Sequence, residues 1–344
     1  MVARNHMIAL VYMGPRRIEV QERKKPEIHP RSVLLRVKAV GICGSDVHGY
    51  TGESGRRTPP LVMGHEFAGV VEGVAPGVDA SWVGRSVTVQ PVLSCGRCDQ
   101  CKAGHSQRCR SRSLLGANCD GAMAEFVVVP EKNLVLLSPD VDFVSATLTE
   151  PAAVACHAVR QPASLQGKVV LVCGGGPIGL FTALMARDGG AKAVVISEIK
   201  ESRRNLAMAL GVDAAVDPVA SDLGSALRVL DGRGEADISV DAVGIQPTLE
   251  AALKNLKPGG ELVLLGGWKT LSLSMGMIVS KEARLLGSFN YLPEEFAAAA
   301  SWLSLHGDMC RAVVSHTCNL QEGAEAFRRL EEEPSKIMKM VFTI

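Results

Sequence analysis

The stretch Val169-Val170-Leu171-Val172-Cys173-Gly174-Gly175-Gly176-Pro177-Ile178-Gly179 decides the fold. Its five leading apolar residues have the length and valine content of a buried strand, and Leu180 to Ala186 continues as helix. Glycines in a turn between strand and helix let backbone N–H groups meet a pyrophosphate at the helix N-terminus. The glycine pattern alone is weak, since glycines also serve close packing. It gains force from Glu198, which follows the next apolar run, Ala193 to Ser197, nineteen residues after Gly179. An acid there binds the adenosine ribose hydroxyls and repels an added phosphate, which predicts NAD. Arg203 and Arg204 speak for NADP. The candidate cofactor contacts are Gly174, Gly176, Pro177, Ile178, Gly179, Glu198 and Arg203.

The eighteen residues between Lys168 and Arg187 carry no charge, near the lower limit of a membrane span. Three glycines and a proline divide that run, so strand, turn and helix fit it better. Outward from it, strand-length runs at Ala193 to Ser197, Ile238 to Ala242 and Glu261 to Leu265 alternate with helical segments, the pattern of a doubly wound parallel sheet. Residues 1 to about 150 carry short β-type runs such as Val33 to Val37 and Phe67 to Val74, broken by Gly, Pro and Asp. The last fifty or so residues hold an Ala-rich helical segment, Phe296 to Leu305, and a closing run, Met338 to Ile344, that needs a sheet to pair with and is expected to rejoin the first domain. The expected division is 1–152 with 292–344, and 153–291. Glu331-Glu332-Glu333 reads as a solvated helix end.

A chain of 344 residues, 47% hydrophobic and 21% charged, is ordinary globular material for about two domains. Lys and Arg number 37 against 36 Asp and Glu, so no net field draws the protein to nucleic acid or an acidic membrane. A small neutral partner fits better. Met1 to His6 and the short apolar run after it have no signal-peptide pattern, and the cysteine usage suits a reducing compartment, so a cytoplasmic location is expected.

Four of the ten cysteines crowd together: Cys95, Cys98 and Cys101, then Cys109, inside a lobe of about residues 93–112. These separations let one loop wrap a tetrahedral ion, and zinc is the natural occupant of four thiolates. An iron–sulfur cluster and two disulfides are the competing readings. The ferredoxin spacing places its fourth cysteine after three residues and before a proline, whereas here Arg110 follows Cys109. Four protein ligands leave no open position, so such an ion is structural.

A second constellation lies in Gly41-Ile42-Cys43-Gly44-Ser45-Asp46-Val47-His48 and Gly64-His65-Glu66. Cys43 and His65 are the best ligand pair outside the lobe, and Glu150, in Thr149-Glu150-Pro151, offers a third ligand. Three protein ligands plus an open position make a catalytic zinc site. Glu66 could bind the ion directly or through water, and Asp46 could orient a ligating histidine.

Taken in order, Gly41 to His48, Gly64-His65-Glu66, the four-cysteine lobe, Glu150-Pro151, the glycine turn and Ile196-Ser197-Glu198 resemble the zinc-containing medium-chain alcohol dehydrogenases, in particular the sorbitol, butanediol and threonine dehydrogenase branch. The resemblance covers nearly the whole chain. It implies a GroES-like, mainly β catalytic domain, a Rossmann NAD-binding domain, and an active site between them. It implies a catalytic zinc on Cys43, His65 and one or both of Glu66 and Glu150, and a second, structural zinc. Ser45 and His48 match the family's proton-relay hydroxyl and imidazole. The implied reaction activates an alcohol at zinc, moves its proton through Ser45 and His48, and passes hydride to the nicotinamide.

The substrate is much less legible, because the pocket is expected in loops around Tyr50-Thr51-Gly52, Leu114 to Cys119 and Trp268 to Met277. A vicinal diol or sugar alcohol comes first, an L-threonine-type amino alcohol second and a phosphorylated polyol third. Arg56 and Arg57 could contact a phosphate, though a solvated loop is the plainer reading. A non-enzymatic NAD-binding sensor on the same fold is the alternative of another class. Arg284 to Phe289 could extend the sheet into a partner chain, giving a homodimer or homotetramer.

Overall fold

Val169–Cys173 is buried along its whole length and pairs in parallel with Ala193–Ser197 on one side and Ala236–Asp241 on the other. In the computed structural model, which describes residues 5–267 and 270–344, the sheet continues outward in both directions. Its order is Ala214–Val216, Ala193–Ser197, Val169–Cys173, Ala236–Asp241, Leu256–Leu264 and Arg284–Gly287, all parallel. Numbered along the chain this is 3-2-1-4-5-6, the doubly wound order, whose direction reverses beside the strand that enters the glycine turn. The strand expected from Glu261 begins at Leu256 instead, because the polar Lys257 and the glycines Gly259 and Gly260 mask its first half. Ala214–Val216 is too short and too little buried to stand out in the sequence.

By internal contacts the chain forms two compact units: the residues up to Glu150 with Leu292–Ile344, and Pro151–Tyr291. The first unit holds two larger sheets. His6–Gly14 lies between Arg17–Lys24 and Leu61–Val62. The larger sheet centres on Ser32–Gly41, which pairs antiparallel with Glu66–Val74, Phe126–Pro130 and the closing strand Met340–Thr343. Alternate residues of these strands, among them Val33, Leu35, Val37, Phe67, Val127, Val129 and Phe342, build one core. Each such side chain contributes about 1.5–3 kcal/mol when fully buried.

Two registers in this sheet place the functional residues. Gly41 is opposite Glu66 on one flank and opposite Val341 on the other. The C-terminal end of Ser32–Gly41, the start of Glu66–Val74 and the approach to Met340–Thr343 therefore meet at one point. No helix among the described residues is long and apolar enough to cross a membrane. Of the loops expected to form a pocket, Trp268 and Lys269 lie outside the described residues, as do Met1 to Arg4 of the N-terminal reading.

Candidate metal and dinucleotide sites

Cys43 stands two residues beyond Gly41, at the start of the short helix Gly44–Tyr50, while His65 and Glu66 open the facing strand. That pairing brings one donor atom each of Cys43, His65 and Glu66 within 4.8 Å of one another. His65 and Glu66 are buried and Cys43 is half-buried. Gly64 has a left-handed φ of 95°, and a Cβ there would come within 2.8 Å of Val40 and 2.9 Å of Met123. A glycine is required to deliver His65 at this angle.

Two buried charges support the trio from behind. Asp46 accepts the Cys43 backbone N–H through Oδ2 at 3.0 Å, and its Oδ1 lies 3.5 Å from His65 Nδ1. A carboxylate on the Nδ1 side of the ring is the arrangement that would favour Nε2 as the nitrogen for a metal. Burial alone would raise the Asp46 carboxyl, but the charges of His65 and Arg57 with the Cys43 amide outweigh it and hold it far below the usual carboxylate range. Lys339, one residue before the closing strand, is 3% exposed and donates to Glu66 Oε2. Burial would lower its ammonium, yet the charges of Glu66 and then Cys43 keep it raised.

The remaining expected site residues are placed less tightly. Glu150 is buried in the first turn of the helix Thr149–Val159; it is not in the close trio, but its charge acts on Lys339. Ser45 is half-buried, and His48 is exposed with Nδ1 3.1 Å from Glu53 Oε2. One reading needs correction. Arg57, expected in a solvated loop, is 8% exposed and donates to Asp46 and to the Ser45 carbonyl, since a salt-bridged guanidinium can be buried where a free one cannot. Tyr50, at the head of one loop expected around the substrate pocket, is buried with its ring centroid 5.1 Å from that of Phe327, so its ring serves packing.

The four lobe cysteines also converge, with all sulfurs within 4.8 Å of one another. Cys98 Sγ and Cys109 Sγ are 4.0 Å apart, against about 3.8 Å for two sulfurs of a tetrahedral zinc at 2.3 Å Zn–S. All ten cysteines are free thiols, which removes the disulfide reading. The Arg110 and Cys101 backbone N–H groups lower the Cys98 thiol to about 6, so the thiolate is favoured before any ion is considered.

At the glycine turn, Gly174 has φ 105° and Gly176 precedes Pro177, the first residue of the helix Pro177–Asp188. A Cβ on Gly179 would lie 2.0 Å from the Gly174 carbonyl oxygen, so only glycine lets the helix sit this close to the strand. Glu198 is buried; its Oε2 accepts the Gly175 N–H at 2.7 Å and its Oε1 accepts the Lys200 N–H at 2.9 Å. Arg203 Nη1 lies 3.9 Å from Glu198 Oε2. Arg204 is engaged with the carbonyls of Glu198 and Ile199 and with Asp217, which leaves it poorly placed for a phosphate.

Sequence reasoning did not pick out Lys339 as a site residue. A single lysine before a C-terminal strand has no local signal; only the strand register joins it to Glu66. Arg57 was visible as a charge without a partner, and the nearby Asp46 was the available cue.

Residues 29–139 match the alcohol dehydrogenase GroES-like domain model, and residues 177–304 match the zinc-binding dehydrogenase model. The chain is 31% identical to an L-galactonate-5-dehydrogenase of Escherichia coli K12 over 98% of its own length and 99% of that protein's. It is 36% identical to an L-threonine 3-dehydrogenase of Pyrococcus furiosus over 76% of each chain. Among solved structures, a putative zinc-binding dehydrogenase of Sinorhizobium meliloti bound to NADP superposes with a TM-score of 0.90 at 32% identity, covering 99% of this chain and 100% of that one.

Proposed function

The chain belongs to the zinc-containing medium-chain alcohol dehydrogenase family, and on that premise we propose that it oxidises the secondary hydroxyl of a vicinal diol or polyol, with NAD as hydride acceptor. The observation that carries this reading is the convergence of Cys43, His65 and Glu66, one thiol, one imidazole and one carboxylate within 4.8 Å of one another. That donor set fits zinc with an open position for substrate, and the four lobe cysteines fit a closed, structural zinc. When bound, the catalytic ion would supply Lewis acidity to the alcohol and the dinucleotide would supply the hydride acceptor.

The chain's own residues supply the rest. We assign Glu66 as the third ligand, shared with Lys339, and Glu150 as a second carboxylate that acts on the same lysine. Ser45, half-buried beside Cys43 in the chain, is the assigned acceptor of the alcohol proton. His48, exposed and next to Glu53, is the assigned outlet to solvent. Gly174, Gly176, Pro177, Ile178 and Gly179 are assigned to the pyrophosphate. Glu198, fixed by two backbone amides, is assigned to the ribose, where its charge disfavours a 2′-phosphate.

Burial of Arg57 removes one phosphate anchor and weighs against a phosphorylated polyol. An L-threonine-type amino alcohol stays as the second reading, supported by the 36% identity to a threonine dehydrogenase. We also infer a cytoplasmic location, in keeping with ten free thiols. The sheet edge at Arg284–Gly287, with Leu285 38% exposed, supports a homo-oligomer. The test is NAD and NADP reduction with 2,3-butanediol, sorbitol, xylitol, L-galactonate and L-threonine, with zinc quantified in the same preparation. Turnover confined to L-threonine overturns the polyol reading. Binding of NAD without turnover of any alcohol favours a sensor.

A further inference from the structure

Behind the Cys43–His65–Glu66 trio lies a cation that the reaction itself does not use. The Arg57 side chain is only 4% exposed. Burying a guanidinium costs several kcal/mol unless it meets an anion and fills its hydrogen bonds. Arg57 meets the anion and fills two of its hydrogen bonds in one direction, leaving the buried Nε without a partner among the described residues: Nη2 donates to Asp46 Oδ1 at 2.7 Å, and Nη1 donates to the Ser45 carbonyl at 2.7 Å. Asp46 is itself fully buried. The space is shaped for this side chain, since a Cβ on Gly49 would come within 2.4 Å of Arg57 Cδ.

Asp46 touches both ligand-bearing segments. Its Oδ2 holds the Cys43 amide at 3.0 Å, and its Oδ1 faces His65 Nδ1 at 3.5 Å. A carboxylate with only these two contacts could rotate about its side-chain bonds. The 2.7 Å charge-assisted bond from Arg57 to Oδ1 is the shortest of the three, and it fixes which oxygen faces the imidazole. The second Arg57 bond pins the backbone of Ser45, in the turn that carries Cys43.

We propose that Arg57 is a positioning residue for the catalytic zinc, holding Asp46 and the Ser45 carbonyl so that the His65 ring and the Cys43 loop stay in metal-binding orientation. The inference rests on the assignment of Cys43 and His65 as zinc ligands. The two Arg57 hydrogen bonds go to Asp46 and to the Ser45 carbonyl rather than to a ligand side chain, so its effect passes through that carboxylate and that backbone. Substitutions of groups that orient ligands typically weaken metal affinity or activity about 10–100-fold.

The test measures zinc affinity as well as turnover. Purified Arg57→Met, Arg57→Lys, Asp46→Asn and the Asp46→Asn/Arg57→Met double variant are titrated against a chromophoric zinc chelator, with Cys43→Ala as the reference for loss of the catalytic ion. Arg57→Met is expected to weaken one zinc about 10–100-fold and leave the other in place. Arg57→Lys, which keeps the charge but cannot reach both acceptors, is expected to recover part of that loss. The double variant is expected to lose clearly less affinity for the weaker zinc than the two single losses combined, because the Arg57–Asp46 bond is shared and only the Ser45 contact is independent of that carboxylate. Zinc affinity of Arg57→Met within twofold of the parent, whatever its melting temperature, overturns the proposal. Additive losses in the double variant overturn it too. Retention of both zinc ions by Cys43→Ala would sink the ligand assignment and this proposal with it, a result distinct from either of the others.

Discussion

Lys339→Met tests the least expected feature of the site. Methionine keeps most of the lysine's length and removes its charge. Lys339 and Glu66 are 3% and 1% exposed, so the change leaves a carboxylate in the interior without its cation. Breaking a buried pair in this way costs roughly 3–5 kcal/mol. For a cooperative unit of about two hundred residues, each kcal/mol lowers Tm by about 2–4 °C, which gives a drop of roughly 6–20 °C. Zinc alters the sum, because an ion held by Cys43 and His65 offers Glu66 a new partner. The deficit should therefore be largest in protein stripped of its weaker zinc and should shrink when zinc is restored. Scanning calorimetry of parent and variant in both states reads this directly. The glycine opposite Glu66 supplies a control: Gly41→Ala puts a Cβ 2.5 Å from Glu66 Oε2 and disturbs the same pair without removing a charge. A deficit below about 1 kcal/mol, or one that zinc does not change, would refute the reasoning.

Three further predictions address the other sites. Cys109→Ser should lose one zinc and lower the melting temperature, whereas Cys43→Ala should lose the other zinc and turnover while keeping NAD affinity within about threefold, as read by metal analysis and cofactor fluorescence titration. Glu198→Gln should raise the ratio of kcat/KM with NADP to that with NAD by about tenfold or more, because the negative charge assigned to the ribose is removed while Arg203 stays; an unchanged ratio would deny Glu198 its discriminating role. Asp237, buried in the second unit, would be raised by burial, but Lys257, the Val169 amide and Arg233 outweigh this and lower it. A lowered folded value means that its contribution is present above the unfolded carboxyl value of about 3.9 and is lost as pH falls below it. Asp237→Asn should accordingly lose about 1–3 kcal/mol at pH 7 and show a shallower decline below about pH 4 in urea melts.

Most of the second unit was legible from its sequence because a parallel sheet covered on both faces needs uninterrupted apolar strands. Val169–Cys173 and Ala193–Ser197 appear at the expected residues. The helix after the glycine turn runs farther than its apolar stretch, from Pro177 to Asp188. Legibility failed where burial is partial or glycine interrupts, at Ala214–Val216 and over the first half of Leu256–Leu264. In the first unit the runs Val33 to Val37 and Phe67 to Val74 and the closing run were recognisable as strands, whereas others such as His6–Gly14 and Phe126–Pro130 were not singled out, and no pairing was. Nothing in Ser32–Gly41 announces that it will pair with three other strands.

That difference explains why the candidate ligands could be named in advance and their supports could not. Cys43, His65 and the four lobe cysteines sit in short motifs whose glycines and spacings carry local information. Lys339 lies 273 residues from Glu66, and their contact exists only because Gly41 is registered against both neighbouring strands. Arg57 is eleven residues from Asp46 and looked like one of two exposed arginines until the fold closed over it. A buried ion pair leaves no periodic trace, since its two halves are single charges in otherwise unrelated segments. The strand register, more than the ligand motifs, thus fixes the electrostatic setting of the metal. A one-residue slip of Met340–Thr343 against Ser32–Gly41 would turn Phe342 out of the core and carry Lys339 away from Glu66 together. Packing of the closing strand and charge balance at the site are therefore set by the same register.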